Sequence, residues 1–385
     1  MIANLLSHPV NPLTSGPVSL PQRPVGPAPA QSHPAAVAPG LPDQLQLSSH
    51  ARLQAPDLLF LPRLQPHILP APTQPTVGKI SLDLLSLNVF ALPKPVGKNI
   101  AQRSAVIGAT LGRYDIAALQ ETFSGDTRAI GETLAATYAG PNYQTYRPSE
   151  RRLGTSGLQV FSRYPIVAKD FKGFVYASDE DALAKKGVMF TRIQVPEVGP
   201  VDIYNTHYQA NGDKELPWHQ KALRQAANLI FPGMTMPHEA LRRHDNEVLI
   251  SLMQKHDQGY PTFVLGDLNA KDGSPIVPEL MAALGLKDSF RELHPSDPGF
   301  SSDGERNPIK AAKGSKSRSR LDYILYRPGK DVDVRVTQSA LAYDTPGEFV
   351  SDHFGVHSRF ELSKKTREQS GQSLAASQEA FFAVC

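Results

Sequence analysis

Thr262-Phe263-Val264-Leu265-Gly266-Asp267-Leu268-Asn269 places four residues suited to a sheet interior directly before a glycine, a carboxylate and an amide. The first four have the length and composition of a buried strand. Asp267 and Asn269 then fall at the C-terminal end of that strand, where loops held by a rigid scaffold gather their chemistry. Nearer the C-terminus, Ser351-Asp352-His353 sets a carboxylate beside an imidazole. That pairing suits a metal ligand next to a general base. In this order, the two clusters point to metal-assisted phosphoester hydrolysis.

The same arrangement recurs along the chain. Ile80 to Leu87 reads as a strand ending at Asn88, and Ile116 to Gln120 as one ending at Glu121. Between them Ile100 to Tyr114 has helical spacing, with Ile100, Val106, Ile107 and Leu111 on one side. Residues 158–162 and 187–193 form further strands, and 201–206 leads into His207. Residues 321–326 and 354–360 complete the set, with Asp322 in the first of these, and a helix is expected around Pro237 to His256. Asn and Asp favour turns, and a His after a strand is commonly a solvated loop residue. Turn chemistry alone does not account for eight such residues in the order Asn, Glu, His, Asp-x-Asn, Asp, Asp-His.

Composition sets the outer limits. The 385 residues carry 40 Lys and Arg against 37 Asp and Glu, a formal net charge of +3 that demands no nucleic-acid partner. The one cysteine, Cys385, excludes an intramolecular disulfide and a cysteine-based zinc site. Residues 1–78 hold nearly half of the 34 prolines and few charges, and are expected to be a largely disordered leader. The N-terminus lacks the basic start and unbroken apolar core of a secretory signal, and no stretch is apolar enough to span a bilayer. Such a leader is either a simple tail or linker, or an export segment for a signal-independent route toward a host membrane. The remainder divides into a catalytic domain, 79–362, and a tail, 363–385.

Leu87-Asn88, Leu119-Gln120-Glu121-Thr122, Asn205-Thr206-His207, Gly266-Asp267-Leu268-Asn269, Arg320-Leu321-Asp322-Tyr323-Ile324 and Ser351-Asp352-His353 together resemble the endonuclease/exonuclease/phosphatase superfamily. The resemblance implies a four-layer α/β sandwich of two packed mixed sheets flanked by helices, with the active site where the sheets splay. It implies that Glu121, Asn88 and Asp352 hold Mg²⁺, with Mn²⁺ or Co²⁺ as substitutes, and that His353 is a general base oriented by Asp322. His207 and Asn269 would donate to the phosphate, and Asp267 would orient the nucleophile or assist the leaving group.

Within that superfamily, Asp181-Ala182-Leu183-Ala184-Lys185-Lys186-Gly187 is similar to a D-A-L-A-x-K-G segment of neutral sphingomyelinases. There the Asp and Lys act as a conformational switch, so Asp181 and Lys186 are candidate substrate-side residues. Gly157 to Ile166, Thr206 to Ala210 and the Pro298 to Pro308 loop resemble the same branch. In that loop, Ser301 and Ser302 replace the usual Thr and aromatic. The implied substrate is a membrane phospholipid such as sphingomyelin, cleaved to ceramide and phosphocholine.

Residues 211–240 look like an insertion whose Trp218, Phe231 and Met234 either pack on the domain or touch a bilayer. Lys310, Lys313, Lys316, Arg318 and Arg320 read as a solvated basic loop able to attract anionic lipid. A DNase I-like or abasic-site nuclease is the alternative reading, and a non-catalytic interaction protein on the same fold is a third.

Overall fold

The structure is a computed structural model and describes residues 78–140, 143–148, 155–177, 184–210 and 236–365. Its strands are β1 (Lys79–Asn88), β2 (Ile116–Gln120), β3 (Gln144–Tyr146), β4 (Gln159–Ser162), β5 (Ile166–Gly173), β6 (Gly187–Val195) and β7 (Gly199–His207). They continue with β8 (Thr262–Asp267), β9 (Lys287–Asp288), β10 (Ser302–Asp303), β11 (Arg318–Ser319), β12 (Asp322–Arg327), β13 (Val332–Ala342) and β14 (Gly355–Lys364). The described helices are α1 (Ile100–Leu111), α2 (Arg128–Thr137), α3 (His238–His256), α4 (Ile276–Leu284), α5 (Ser289–Leu293) and α6 (Pro308–Ala311).

Two six-stranded sheets carry the fold, ordered β13-β14-β1-β2-β4-β3 and β5-β6-β7-β8-β12-β9. Each is mixed: β1 and β2 run parallel, as do β7 and β8, and their other pairings are antiparallel. A strand's side chains alternate between faces, so each central strand serves two cores. Leu82 and Leu84 of β1 meet Met189, Ile203, Phe263 and Leu265 between the sheets. Leu85 and Leu87 face the other way, onto Ile107 and Leu111 of α1 and Ile130 and Leu134 of α2. On the far side, Phe190, Tyr204 and Val264 pack under Leu249, Leu252 and Met253 of α3 and Leu280 of α4. The result is the expected four-layer sandwich.

The same alternation aims polar side chains into the space between the sheets. Continuing the face of Leu82 and Leu84 along β1 gives Ser86 and Asn88, and continuing that of Ile116 and Ala118 along β2 gives Gln120. On the opposite sheet, Ile203 leads to Asn205 and His207, and Phe263 and Leu265 lead to Asp267. The register aligns these ends: Asn88 lies opposite Gln120, and Asp267 pairs with both His207 and Asp322. Gly266 permits the close approach of β7 and β8, since a Cβ there would run into the Thr206 carbonyl oxygen.

The other end of β1 is tied down by charge. Asp83 lies opposite Arg359 of β14, whose Nε reaches the carboxylate at 3.0 and 3.1 Å, while Nε2 of His357 sits 2.7 Å away. Burial acts to raise the Asp83 carboxyl, but His357 and Arg359 outweigh it and hold the group below its ordinary value of 3.8. A depressed folded value contributes stability above the unfolded pKa and loses it as pH falls through the folded value. Asp83→Asn is therefore expected to cost about 1–3 kcal/mol near neutrality, since it strips the carboxylate from the Arg359 guanidinium and from its contact with His357. Urea denaturation across pH checks this: the gap between wild type and variant should shrink below about pH 4.

Candidate active site

Where the sheets end, Asn88 joins them. Its Nδ2 donates to Oε1 of Glu121 at 2.9 Å and to Oδ2 of Asp267, on the opposite sheet, at 3.1 Å. Its Oδ1 accepts from the Phe90 N–H at 3.0 Å. One residue deeper, Gln120 Nε2 donates to Asn205 Oδ1 at 2.8 Å, and Asn205 Nδ2 donates to the Leu119 carbonyl at 3.0 Å. These buried amides form a polar floor between the apolar core and the cluster above it. Three non-glycine residues here adopt left-handed backbone, Phe90 (φ 48°), Glu121 (φ 56°) and Asn269 (φ 47°), each costing about 1–2 kcal/mol.

His353 enters from the loop before β14. Its Nδ1 lies 2.8 Å from Oδ2 of Asp322 and 3.8 Å from Oδ2 of Asp267. The three side chains offer donor atoms within 4.8 Å of one another. Asp322 is braced from behind: Ser301 Oγ accepts the backbone N–H groups of Leu321 and Asp322, and the Ser301 carbonyl accepts the N–H of Phe354 at 2.6 Å. Asn307 Nδ2 donates to the Ser351 carbonyl, and Ser351 Oγ accepts the His353 N–H.

Arg103 of α1 supplies a brace that sequence reading missed. Its guanidinium donates to the carbonyls of Val89, Phe90 and Val350, each at 2.7 Å, and to that of Lys98 at 3.1 Å. It thus ties the loop after Asn88 to the loop before Asp352. A lone Arg in an amphipathic helix gives no sequence signal for this, because its partners are carbonyls on distant loops.

The cluster is strongly negative. Burial raises the Glu121 carboxyl, and the nearby charge of Asp352 adds to that. Burial likewise raises Asp267, with Asp322 adding repulsion, to about 7. Burial alone would lower His353, but the Asp322 and Asp267 carboxylates push it up to about 10. Asp352 is brought below its ordinary value, against its burial, by His353 and by Lys313, whose Nζ is 2.8 Å from Oδ2. His207 is driven well down by burial and by the positive charges of Lys186 and His353, so it is neutral.

Glu121 Oε2 and Asp322 Oδ1 are buried without a hydrogen-bond partner. A buried carboxylate oxygen with no donor is costly, and a cation relieves it. Apart from the His353 imidazole, the donors here are carboxylate oxygens, which suit a hard divalent ion. The residues therefore fit such a metal, with Glu121 as its clearest holder and Asp352 and Asp267 at its margin. As oriented here, Asn88 turns its amide hydrogens toward the carboxylates and keeps its oxygen on Phe90.

The other expected residues lie as follows. His207 sits 3.7 Å from Asp267 and 3.9 Å from Glu121, but its Nε2 faces the Lys186 Nζ at 3.0 Å. Lys186 is buried and also donates to the Tyr208 carbonyl, so it forms part of the floor rather than the rim. Asn269 gives its amide to the Tyr208 carbonyl at 3.1 Å. Asp181 and residues 211–235, including Trp218, lie outside the described residues. The basic loop is solvated only in part: Lys313, Lys316 and Arg318 are exposed as expected, whereas Lys310 and Arg320 are buried. Arg320 is buried, paired with Asp288 at 2.6 Å and stacked on Tyr323. Lys310 is buried on Ser302 Oγ, Arg318 pairs with Asp303, and Lys313 with Asp352. Lys313, Arg318 and Arg320 pair with the chain's own carboxylates, leaving less charge for a lipid surface.

The Exo_endo_phos model, described as the endonuclease/exonuclease/phosphatase family, matches residues 85–353. The chain belongs to that family. A sphingomyelinase of Mycobacterium tuberculosis is 23% identical over 293 residues, covering 73% of this chain and 52% of that protein. The chain thus spans about half the length of the curated relatives it matches there. D. rerio TDP2, solved with a single-strand DNA product, superposes with a TM-score of 0.56 at 16% identity, over 73% of this chain and 98% of that one. A mutant of Staphylococcus aureus beta toxin with bound magnesium ions superposes at 0.52 and 17%, over 74% and 100%. At these identities the structural likeness is one of fold.

Asp322→Asn should release His353 from the field that keeps it charged. In metal-free protein its imidazole, followed by NMR, is expected to titrate about one unit or more lower than in wild type.

Proposed function

We propose that this chain is a metal-dependent phosphodiesterase that cleaves a phosphocholine-bearing lipid such as sphingomyelin, using water as the nucleophile. The observation that carries the chemistry is the 2.8 Å contact of His353 Nδ1 with Asp322, set beside the buried carboxylate oxygens of Glu121 and Asp322 that have no hydrogen-bond partner. The lipid assignment rests on the relatives named sphingomyelinase and on the Asp181 to Gly187 segment.

Asp322 fixes the imidazole with its Nδ1–H toward the carboxylate and leaves Nε2 to take a proton from the attacking water. A divalent cation, Mg²⁺ foremost, would supply Lewis-acid charge to the phosphoryl oxygens and offset the negative field that holds His353 protonated. Asn88 keeps Glu121 and Asp267 in place while charge develops. Asn269 and His207 would line the phosphate side: Asn269 gives one amide hydrogen to the Tyr208 carbonyl and has a second to offer, while Nε2 of His207 faces Lys186 and must part from it to donate. Movement of Lys186 away from His207, steered by Asp181, is then the switching step. Asp267 orients the water or assists the leaving oxygen.

The deciding assay offers sphingomyelin in mixed micelles and, separately, plasmid DNA, each with Mg²⁺. Phosphocholine release that falls by about 10²–10⁴-fold in His353→Ala is expected. Nicking of DNA with no phosphocholine release would instead assign the site to a nuclease.

A further inference from the structure

Beside the catalytic edge lies a groove of about 520 Å³, within the range of small-molecule sites. Its walls are Phe90, Val96, Val106, Ile309, Phe349 and Val350, with Ala312 at its margin. Lys98, Asn99, Gln102, Arg103 and Lys313 also line it, and among the described residues no acidic one does. The groove is continuous with the site through two residues. Phe90 is held by Asn88 through its backbone N–H, and Lys313 reaches Asp352 at 2.8 Å while its Nζ lies 4.2 Å from the Phe90 ring centroid. Val350, two residues before Asp352, forms the opposite wall.

Apolar walls that end at a cationic edge match an amphiphile whose negative group is at the site and whose chain runs away from it. A nucleic acid would need paired cations and stacking faces along a polar track. This groove offers two lysines, of which Lys313 is already engaged with Asp352, an arginine committed to main-chain carbonyls, and the uncharged Asn99 and Gln102, while most of its lining is apolar. We propose that it binds one alkyl chain of the lipid whose phosphodiester is cleaved at His353. The proposal rests on the phosphodiesterase reading above and extends it, by locating a chain-binding subsite on the Phe90 side of the cluster.

Two exposed lining residues allow a test that leaves the core intact. Ala312→Trp fills the groove, and Val96→Asp places a charge on its wall. Both variants are assayed with Mg²⁺ on a long-chain lysophosphocholine diester kept below its micellar concentration, and on p-nitrophenylphosphorylcholine, which has the same headgroup and no chain. For each variant kcat/KM on the long-chain diester is expected to fall about tenfold or more, the equivalent of about 1.4 kcal/mol, chiefly through KM. Hydrolysis of the short diester should stay within about twofold of wild type. Unchanged long-chain kinetics, or an equal loss on both substrates, would overturn the subsite while leaving the phosphodiesterase reading in place. If wild type cleaves neither diester, the functional reading fails and the subsite falls with it.

Discussion

Two carboxylates from opposite sheets, Glu121 and Asp267, share the amide of Asn88, and Asp322 and Asp352 stand close by. Like charges at such range, out of water, repel strongly, and burial compounds the cost. The cluster survives because the fold constrains it. Asn88, Gln120, His207 and Asp267 end inter-sheet faces that begin with apolar residues, and Asp322 opens one that continues through Ile324 and Tyr326. Moving any of them away would require a strand to slip, and a one-residue slip turns every buried side chain of that strand to the wrong face. The hydrophobic core between the sheets thus holds together charges that would otherwise separate.

The compensation around the cluster is incomplete. His353 answers Asp322, Lys313 answers Asp352, and Arg103 fastens the two loops through four carbonyls. Glu121 retains a buried oxygen with no donor, and its backbone is left-handed. Strain and unmet polarity at one residue are what a site tolerates when function needs them. On the proposed reading, a divalent cation would supply the missing charge without adding bulk.

Much of this was legible in the sequence because strand ends are. Apolar runs closing on Asn88, Glu121, His207 and Asp267 announce their own positions, and period-two alternation then states which face each end presents. The edge elements were harder to read. β5 alternates charged and apolar residues and is half exposed, and β13 is an edge strand with exposed polar positions, so neither has the dense apolar signature of a central strand. Two residues of the basic loop, Lys310 and Arg320, escaped the sequence reading for a related reason. Sequence spacing cannot show that Arg320 stacks on Tyr323 beside Asp288, or that Lys310 turns inward to Ser302, because both partners come from contacts made only in the fold.

On this reading Glu121 is a destabilising carboxylate kept to hold a cation. Thermal unfolding of metal-free protein, with and without added Mg²⁺, tests it most directly. Glu121→Gln removes one repelling charge while keeping the Asn88 contact available. It should melt at or above the wild-type temperature without metal and gain little from Mg²⁺, whereas wild type should gain several degrees through ligand binding to the native state. A Mg²⁺-induced shift of equal size in both proteins would contradict the account.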